Sequence, residues 1–343
     1  MVLSHYFVNH FPKIVSKSIL MKAYSSTLDA RPAPQASVLM AHDCSEGLLM
    51  SQVTDHIRIG QFSQSPVLAA ARHLGLDKEY GLSWATERAM SSPGQFSSLN
   101  SAEIDVAITS PDNVMLYATT DKNPLSTQIP ITLLRPIDHG LGLTFFTRSE
   151  VNSVAIIQDS TLGVDVLKSG FAFLLFRLID RIGADVEKIS FTEIGATPKR
   201  AQMILDGQVA GSILNAESAV LAQESGLHAW ATSADLYPDY LGTVLAARSN
   251  AITPAVERLV AMWTETTRAL LAMSAEEVSA VLSDASPALA TPQYVEIVQS
   301  PVFGLIDRDT VQLSDLETLR EIRSAAGAYT PSDQDLENLV SRA

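Results

Sequence analysis

Hydroxyl side chains recur where an apolar run gives way to a helix-like stretch. Ser65-Pro66, Ser92-Pro93, Ser110-Pro111 and Thr197-Pro198 are four such junctions, and Ser169-Gly170 holds the same place in a fifth. A serine or threonine oxygen at an N-cap accepts a bond from an orphan amide of the first turn. Proline suits the first helical position because its missing N–H has no partner there. Helix N-termini also carry free N–H groups and a positive partial charge, which suit anions and polar ligands. The chemistry on offer is recognition: hydroxyls, amides and helix ends set around a small molecule.

Each junction supplies candidates. Ser63, Gln64 and Ser65 follow the first apolar run, with Ser65 as N-cap. Ser91 and Ser92 follow the second; Ser92 reads as N-cap, Pro93 as the first helical residue and Gln95 as the return arm of a capping box. Thr109, Ser110, Asp112 and Asn113 follow the third. Thr109 and Ser110 rank before Asp112, whose carboxylate either favours the helix dipole or binds an amine on a ligand. In the second half, Ser169, Gly170 and Phe171 open a helix beside the charged Lys168. Gly170 would let a ligand approach the backbone, and Phe171 would either stack on a ring or join the core. Thr197 reads as an N-cap. Arg200 offers a guanidinium for a carboxylate or sulfonate, its alternative being a surface ion pair. Asn215 offers an amide, and Glu217 reads as a cap more than a ligand. His139, between Asp138 and Gly140, sits at an expected crossover between halves. Phe62, Phe96, Phe145 and Tyr240 are candidate apolar walls or core residues.

These residues must be held by something large. At 343 residues, with 46% apolar and 18% charged residues, the chain suits a globular protein with one or two sizeable cores. Its net charge of −14 argues against nucleic acid and anionic membranes as partners. Cys44 is the single cysteine, so no intrachain disulfide forms. No pair among the seven histidines has metal-ligand spacing, so neither a metal nor a cofactor is expected. No apolar run reaches membrane-spanning length, so no membrane insertion is expected. Residues 1–54 read as an N-terminal extension. Lys17 and Lys22 interrupt any secretory apolar stretch, and Asp43 spoils a lipobox before Cys44. The expectation is cytoplasmic, or extracytoplasmic if the start is assigned too early.

From Asp55 onward apolar strands alternate with helices. His56 to Gln61, Leu82 to Thr86 and Ile104 to Thr109 read as strands, while Ser65 to Leu74, Pro93 to Leu99 and Pro111 to Tyr117 read as helices. That alternation implies parallel βαβ units. The pattern then returns. Ile57 to Gly60 lies 105 residues before Leu162 to Asp165, and Ser101 to Ile108 lies 105 before Asp206 to Ile213. At that spacing Ser65 falls against Gly170 and Asp112 against Glu217. Two similar Rossmann-like α/β lobes are expected, over 55–140 and 141–247. The strand-like runs Ile131 to Leu134, Leu141 to Thr147 and Tyr240 to Ala247 would carry the chain across and back, a two-crossing hinge. Residues 248–343 read as helices returning to lobe one: one from Pro254 to Met273, one opened by Ser274-Ala275-Glu276-Glu277, and one over Leu313 to Ala326.

Ile57 to Gly60, Glu103 to Ile108, Leu162 to Asp165 and Tyr240 to Leu245, in this order and spacing, resemble ABC-transporter substrate-binding proteins. The similarity covers about 55–330 and is to the superfamily of nitrate, sulfonate and taurine receptors and thiamine-pyrimidine synthases. It implies the type II periplasmic-binding-protein fold, a small-molecule ligand between two lobes that close on a hinge, an ABC permease as partner, and a monomer. The ligand implied is a small polar or anionic organic molecule, such as a sulfonate, a carboxylate or a pyrimidine. The resemblance also implies an alternative, a cytosolic enzyme in the same cleft. Desulfinase relatives place a cysteine in the first strand-to-helix loop. Here Ser65 falls at that place, with His139 as the one histidine able to activate it. The cysteine-rich motif of the pyrimidine synthases is not present, which argues against their chemistry.

Overall fold

A computed structural model describes residues 54–340. The extension read over 1–54 therefore lies, Thr54 excepted, outside the described residues, as do His5, His10, His42 and Cys44.

Lobe one is built on strands β1 (Asp55–Gln61), β2 (Leu82–Arg88), β3 (Val106–Thr109) and β4 (Ile131–Asp138), with helices α1 (Pro66–His73), α2 (Leu76–Glu79), α3 (Ser92–Asn100) and α4 (Pro111–Thr119) between them. Lobe two holds β5 (Thr144–Thr147), α5 (Val154–Gln158), β6 (Thr161–Val164), α6 (Gly170–Arg181), β7 (Ser190–Glu193), α7 (Thr197–Leu205), β8 (Gly211–Leu214), α8 (Ala216–Glu224) and β9 (His228–Thr232). The chain then returns through β10 (Thr243–Arg248). The first sheet has the order β2-β1-β3-β10-β4 and the second β7-β6-β8-β5-β9. In each, three parallel strands meet one antiparallel strand that directly follows a crossing: β10, returning from lobe two, beside β3, and β5, arriving from lobe one, beside β8. Both crossings thus run straight into a sheet, so the hinge is anchored on each side.

The crossings lie against each other. The Gly242 amide donates to the Asp138 carbonyl at 2.8 Å. A Cβ on Gly242 would fall 2.3 Å from the Gly140 Cα, and Gly140 itself sits at φ +94. Only glycine fits both needs, close approach at one position and a left-handed backbone at the other.

The internal repeat is real, and its register differs slightly from the sequence reading. The third strands and the helices after them repeat at 105 residues, Val106 against Gly211 and Pro111 against Ala216. The first strands repeat at 103: Gly60 faces Ala107 in one sheet, and Gly163 faces Ser212 in the other. A slip of two keeps every side chain on its own face, so the apolar pattern of both strands also matches at a single spacing.

After β10 the chain is helical: α9 (Pro254–Ala272), α10 (Ala275–Ser283), α11 (Pro292–Gln299), α12 (Leu313–Ala325) and α13 (Asp333–Val340). Thr253 caps α9, and Ser274 with Glu277 forms the expected capping box on α10. Helices α9 and α10 pack on α1 of lobe one, as expected. Helix α11 also reaches α8, and α12 packs on both α6 and α4, so these helices touch both lobes. One continuous apolar cluster joins Tyr117 and Val244 of lobe one, Phe145 and Leu174 of lobe two, and Leu319 of α12. Among the described residues no helix is long and apolar enough to cross a membrane.

Candidate functional site

Strand-to-helix loops of both lobes converge on one cavity of about 120 Å³. Helix ends face it because parallel strands deliver their C-terminal ends, and the helix starts that follow, to the same edge of each sheet. From lobe one come Ser63, Gln64 and Ser65 before α1, Ser91 and Ser92 at α3, and Thr109, Ser110 and Asn113 at α4. From lobe two come Ser169, Gly170 and Phe171 at α6, Thr197 and Arg200 at α7, and Asn215 before α8. The hinge contributes Ile137, Asp138, Leu141 and Thr243.

The caps explain the shape of these walls. Ser65 Oγ accepts from the Leu68 amide at 3.3 Å, and Ser169 Oγ from the Ala172 amide at 3.1 Å. These two serines are thus the equivalent caps, and Gly170, which the 105-residue spacing sets against Ser65, stands one residue past the true counterpart, Ser169. Ser110 caps α4 through the Asp112 amide at 3.2 Å. The α3 cap is Ser91, whose Oγ accepts from Gly94 N at 3.2 Å, while Ser92 is already helical. The expected capping box does not form. Gln95 turns inward, and its Nε2 donates to the carbonyls of Gly60 and Ile108, each at 3.0 Å. At α7 the N-cap is Ala196, with Thr197 the first helical residue.

Arg200 repeats what Gln95 does, 105 residues later. It is 1% exposed. Its Nη2 donates to the Ile213 carbonyl at 3.1 Å and to Thr197 Oγ1 at 3.0 Å, its Nε to Ser212 Oγ at 3.1 Å, and its Nη1 to the Gly195 carbonyl. Ile213 is the counterpart of Ile108. Arg200 is therefore a buried brace between α7 and β8, in place of the surface ion pair or free anion clamp that its sequence position suggested. Burial lowers its pKa, and Asp165 pulls it back up.

Asp112 and His139 do not line the cavity. The Asp112 carboxylate is buried at the junction of three elements. Arg323 of α12 donates to its Oδ2 at 2.8 Å, with both side chains 2% exposed. The Gly170 amide at the α6 N-terminus also bonds it. A Cβ on Gly170 would sit 2.6 Å from the Asp112 Cβ. The glycine thus admits a carboxylate of the protein itself, and the expected approach of a ligand to this backbone is in part pre-empted. Burial pushes the Asp112 carboxyl up, against the pull of Arg323. His139 is half-buried in the hinge, its Nδ1 3.1 Å from the Tyr240 carbonyl oxygen. No hydrogen bond links it to Ser65, whose Oγ serves the cap, so the expected nucleophile–base pair is not assembled.

Of the expected aromatic walls, Phe62 lines the cavity, and Phe171 does as well. Phe96 stacks on Tyr117 at 4.1 Å in the core, and Phe145 and Tyr240 are buried. Glu217 stands in the first turn of α8, just past the lining residues Asn215 and Ala216 and not itself among them, and burial raises its pKa. Lys168 is exposed.

Three polar wall residues escaped the sequence reading. Asp138 ends β4, is 2% exposed, and accepts from the Gly140 amide at 2.7 Å and from the Thr243 hydroxyl. Burial pushes its carboxyl up to about 6. Thr243 opens β10, and Asp165, after β6, accepts from Ser169 Oγ. The available signal was positional: all three sit where a strand meets a crossing or a helix, as His139 nearly does. Among the described residues no three His, Cys, Asp or Glu side chains gather to hold a metal.

This two-lobed arrangement has many solved counterparts. The alkanesulfonate-binding protein SsuA from Xanthomonas axonopodis pv. citri, bound to MOPS, matches at TM-score 0.62 and 15% identity, over 84% of this chain and 95% of that one. The periplasmic nitrate-binding protein NrtA from Synechocystis PCC 6803 matches at TM-score 0.66 and 13% identity, over 84% and 85%. The chain has the periplasmic-binding-protein fold. A ligand-binding component of an ABC-type import system from Staphylococcus aureus, solved with zinc bound, matches this fold at TM-score 0.65 and 15% identity, over 84% and 99%. No family model and no curated protein matches the chain. At these identities the likeness concerns architecture, and the ligand must be argued from this chain's own cleft.

Proposed function

We propose that the chain is a solute-binding protein that closes two lobes on a small organic molecule. The observation that carries this reading is the wall itself: the strand-to-helix loops of both lobes and both hinge crossings meet around one cavity. A solute there touches lobe one through Ser63 and Asn113, and lobe two through Thr197 and Asn215. It therefore favours the state in which both sets are within reach. Counterparts of the same fold named as sulfonate- and nitrate-binding proteins or as part of an import system support the reading. An ABC permease is the partner that this reading assigns, and the working unit is a monomer. Binding needs no covalent step, in keeping with Ser65 and His139 standing unpaired.

A thermal-shift panel of small sulfonates, carboxylates, amines and pyrimidines tests it. The expected result is stabilisation by one class, lost in Ser63→Trp, where an indole fills the cavity. Stabilisation that survives Ser63→Trp would place the ligand elsewhere and reject the reading.

A further inference from the structure

The charges that border the cavity do not suit an anion. Among the described residues Arg200 is the cationic side chain in its wall, and its bonds run to Gly195, Thr197, Ser212 and Ile213. Asp165 stands close enough to act as its counter-charge. The other wall carboxylate is different. No ion pair forms at Asp138 among the described residues, and its partners are one amide and one hydroxyl. Each of its oxygens takes one bond and keeps acceptor capacity. A buried carboxylate without a counter-ion is costly to hold, and a neutral asparagine there could accept from the Gly140 amide through its oxygen and donate to the Thr243 hydroxyl through its nitrogen. Folding alone gives no reason for the charge.

We propose that the solute carries a protonated or N–H-rich nitrogen group, amine- or amidine-like, that lies against Asp138 with its apolar part against Phe62 and Phe171. This rests on the solute-binding reading above and narrows it. The cation supplies the counter-charge that the fold leaves out, and its N–H groups fill the free acceptor sites. Asp138 acts on two tyrosines, Tyr240 and Tyr294, both pushed up chiefly by burial. Glu217 also acts on Tyr294, and Asp112 and Asp165 on Tyr240. These are neutral or acidic, and the neighbouring imidazole of His139 sets its Nδ1 against the Tyr240 carbonyl, while the Asp138 oxygens take Gly140 and Thr243.

Three probes of one shape and different charge test the proposal: benzamidine, benzamide and benzoate, titrated calorimetrically into the full chain. Benzamidine is expected to bind at least tenfold more tightly than benzoate, and Asp138→Asn to remove that preference. If Asp138→Asn does not fold, the wild type decides by pH: benzamidine affinity should fall about tenfold per unit as pH drops below about 6, where Asp138 takes up its proton. Benzoate binding as tightly as benzamidine, or a benzamidine affinity indifferent to both variant and pH, overturns the proposal. If benzoate wins and Ser63→Trp abolishes its binding, the cleft reading stands and only the ligand class falls. If all three are silent and the wider panel is too, both fall.

Discussion

At the scale of single residues, Arg200 shows how position in a repeat outweighs residue type. An arginine three residues into a helix beside a cavity invites an anion-binding role. The side chain does in lobe two what Gln95 does in lobe one, tying the third helix-forming loop to the carbonyl of the neighbouring strand. Its loss should act on stability first. Arg200→Ala strands several buried acceptors and is expected to cost on the order of 3 kcal/mol, read from the midpoint of urea unfolding. Arg200→Gln, which imitates the other lobe, should cost clearly less. Equal stability of Arg200→Ala and wild type, with ligand binding lost, would restore the anion-clamp reading. The 105-residue spacing pairs Gln95 with Arg200 in the sequence, so the brace was legible in principle. What concealed it was chemistry, since amide and guanidinium rarely stand in for each other. The caps were legible to within one residue: Ser65, Ser110 and Ser169 stand where expected, whereas Ser91 and Ala196 take the places read as Ser92 and Thr197. A Ser-Ser-Pro or Ala-Thr-Pro run allows either register, and tertiary contacts choose.

At the scale of elements, the point of interest is the α6 N-terminus. Its amides and positive end were a plausible ligand site, and part of that capacity is taken by Asp112, which also holds Arg323 of α12. Arg323 lies over the Phe173 ring at 5.3 Å and donates to the Tyr329 carbonyl at 2.7 Å. Lobe one, lobe two and the C-terminal helices are thus tied at one buried ion pair. Removing one partner leaves a buried charge alone, so Asp112→Ala and Arg323→Ala should each cost about 3–5 kcal/mol. The double variant should cost much less than their sum, by at least 1 kcal/mol. Additive losses in that cycle would show that the pair does not act as a unit. Strand and helix alternation was readable because apolar runs and cap residues are local signals. A contact between residues 112 and 323 leaves no local trace, and Asp112 was read as a helix-dipole or ligand residue for that reason.

For the whole molecule, the two-lobed plan could be read from the recurrence of one strand–helix pattern and from Tyr240 to Ala247 as a returning strand. The antiparallel insertion of β5 and β10 beside the third parallel strands, and the reach of α11 and α12 to both lobes, could not: pairing partners are set by packing across the molecule. The cavity inherits both facts. Its walls are the local signals, and its charge comes from Asp138, Asp165 and Arg200, which only the assembled fold brings together. The claim at this scale is that a solute in the cleft pulls the lobes into one arrangement. Spin labels on cysteines placed at Lys78 and Lys188, exposed sites in the two lobes, in a Cys44→Ser background, measure it directly. Adding a solute that the thermal panel identifies should shorten and narrow the distance distribution, and Ser63→Trp should abolish the change. Solute binding that leaves the distribution unaltered in the wild type would contradict closure of the two lobes on a ligand.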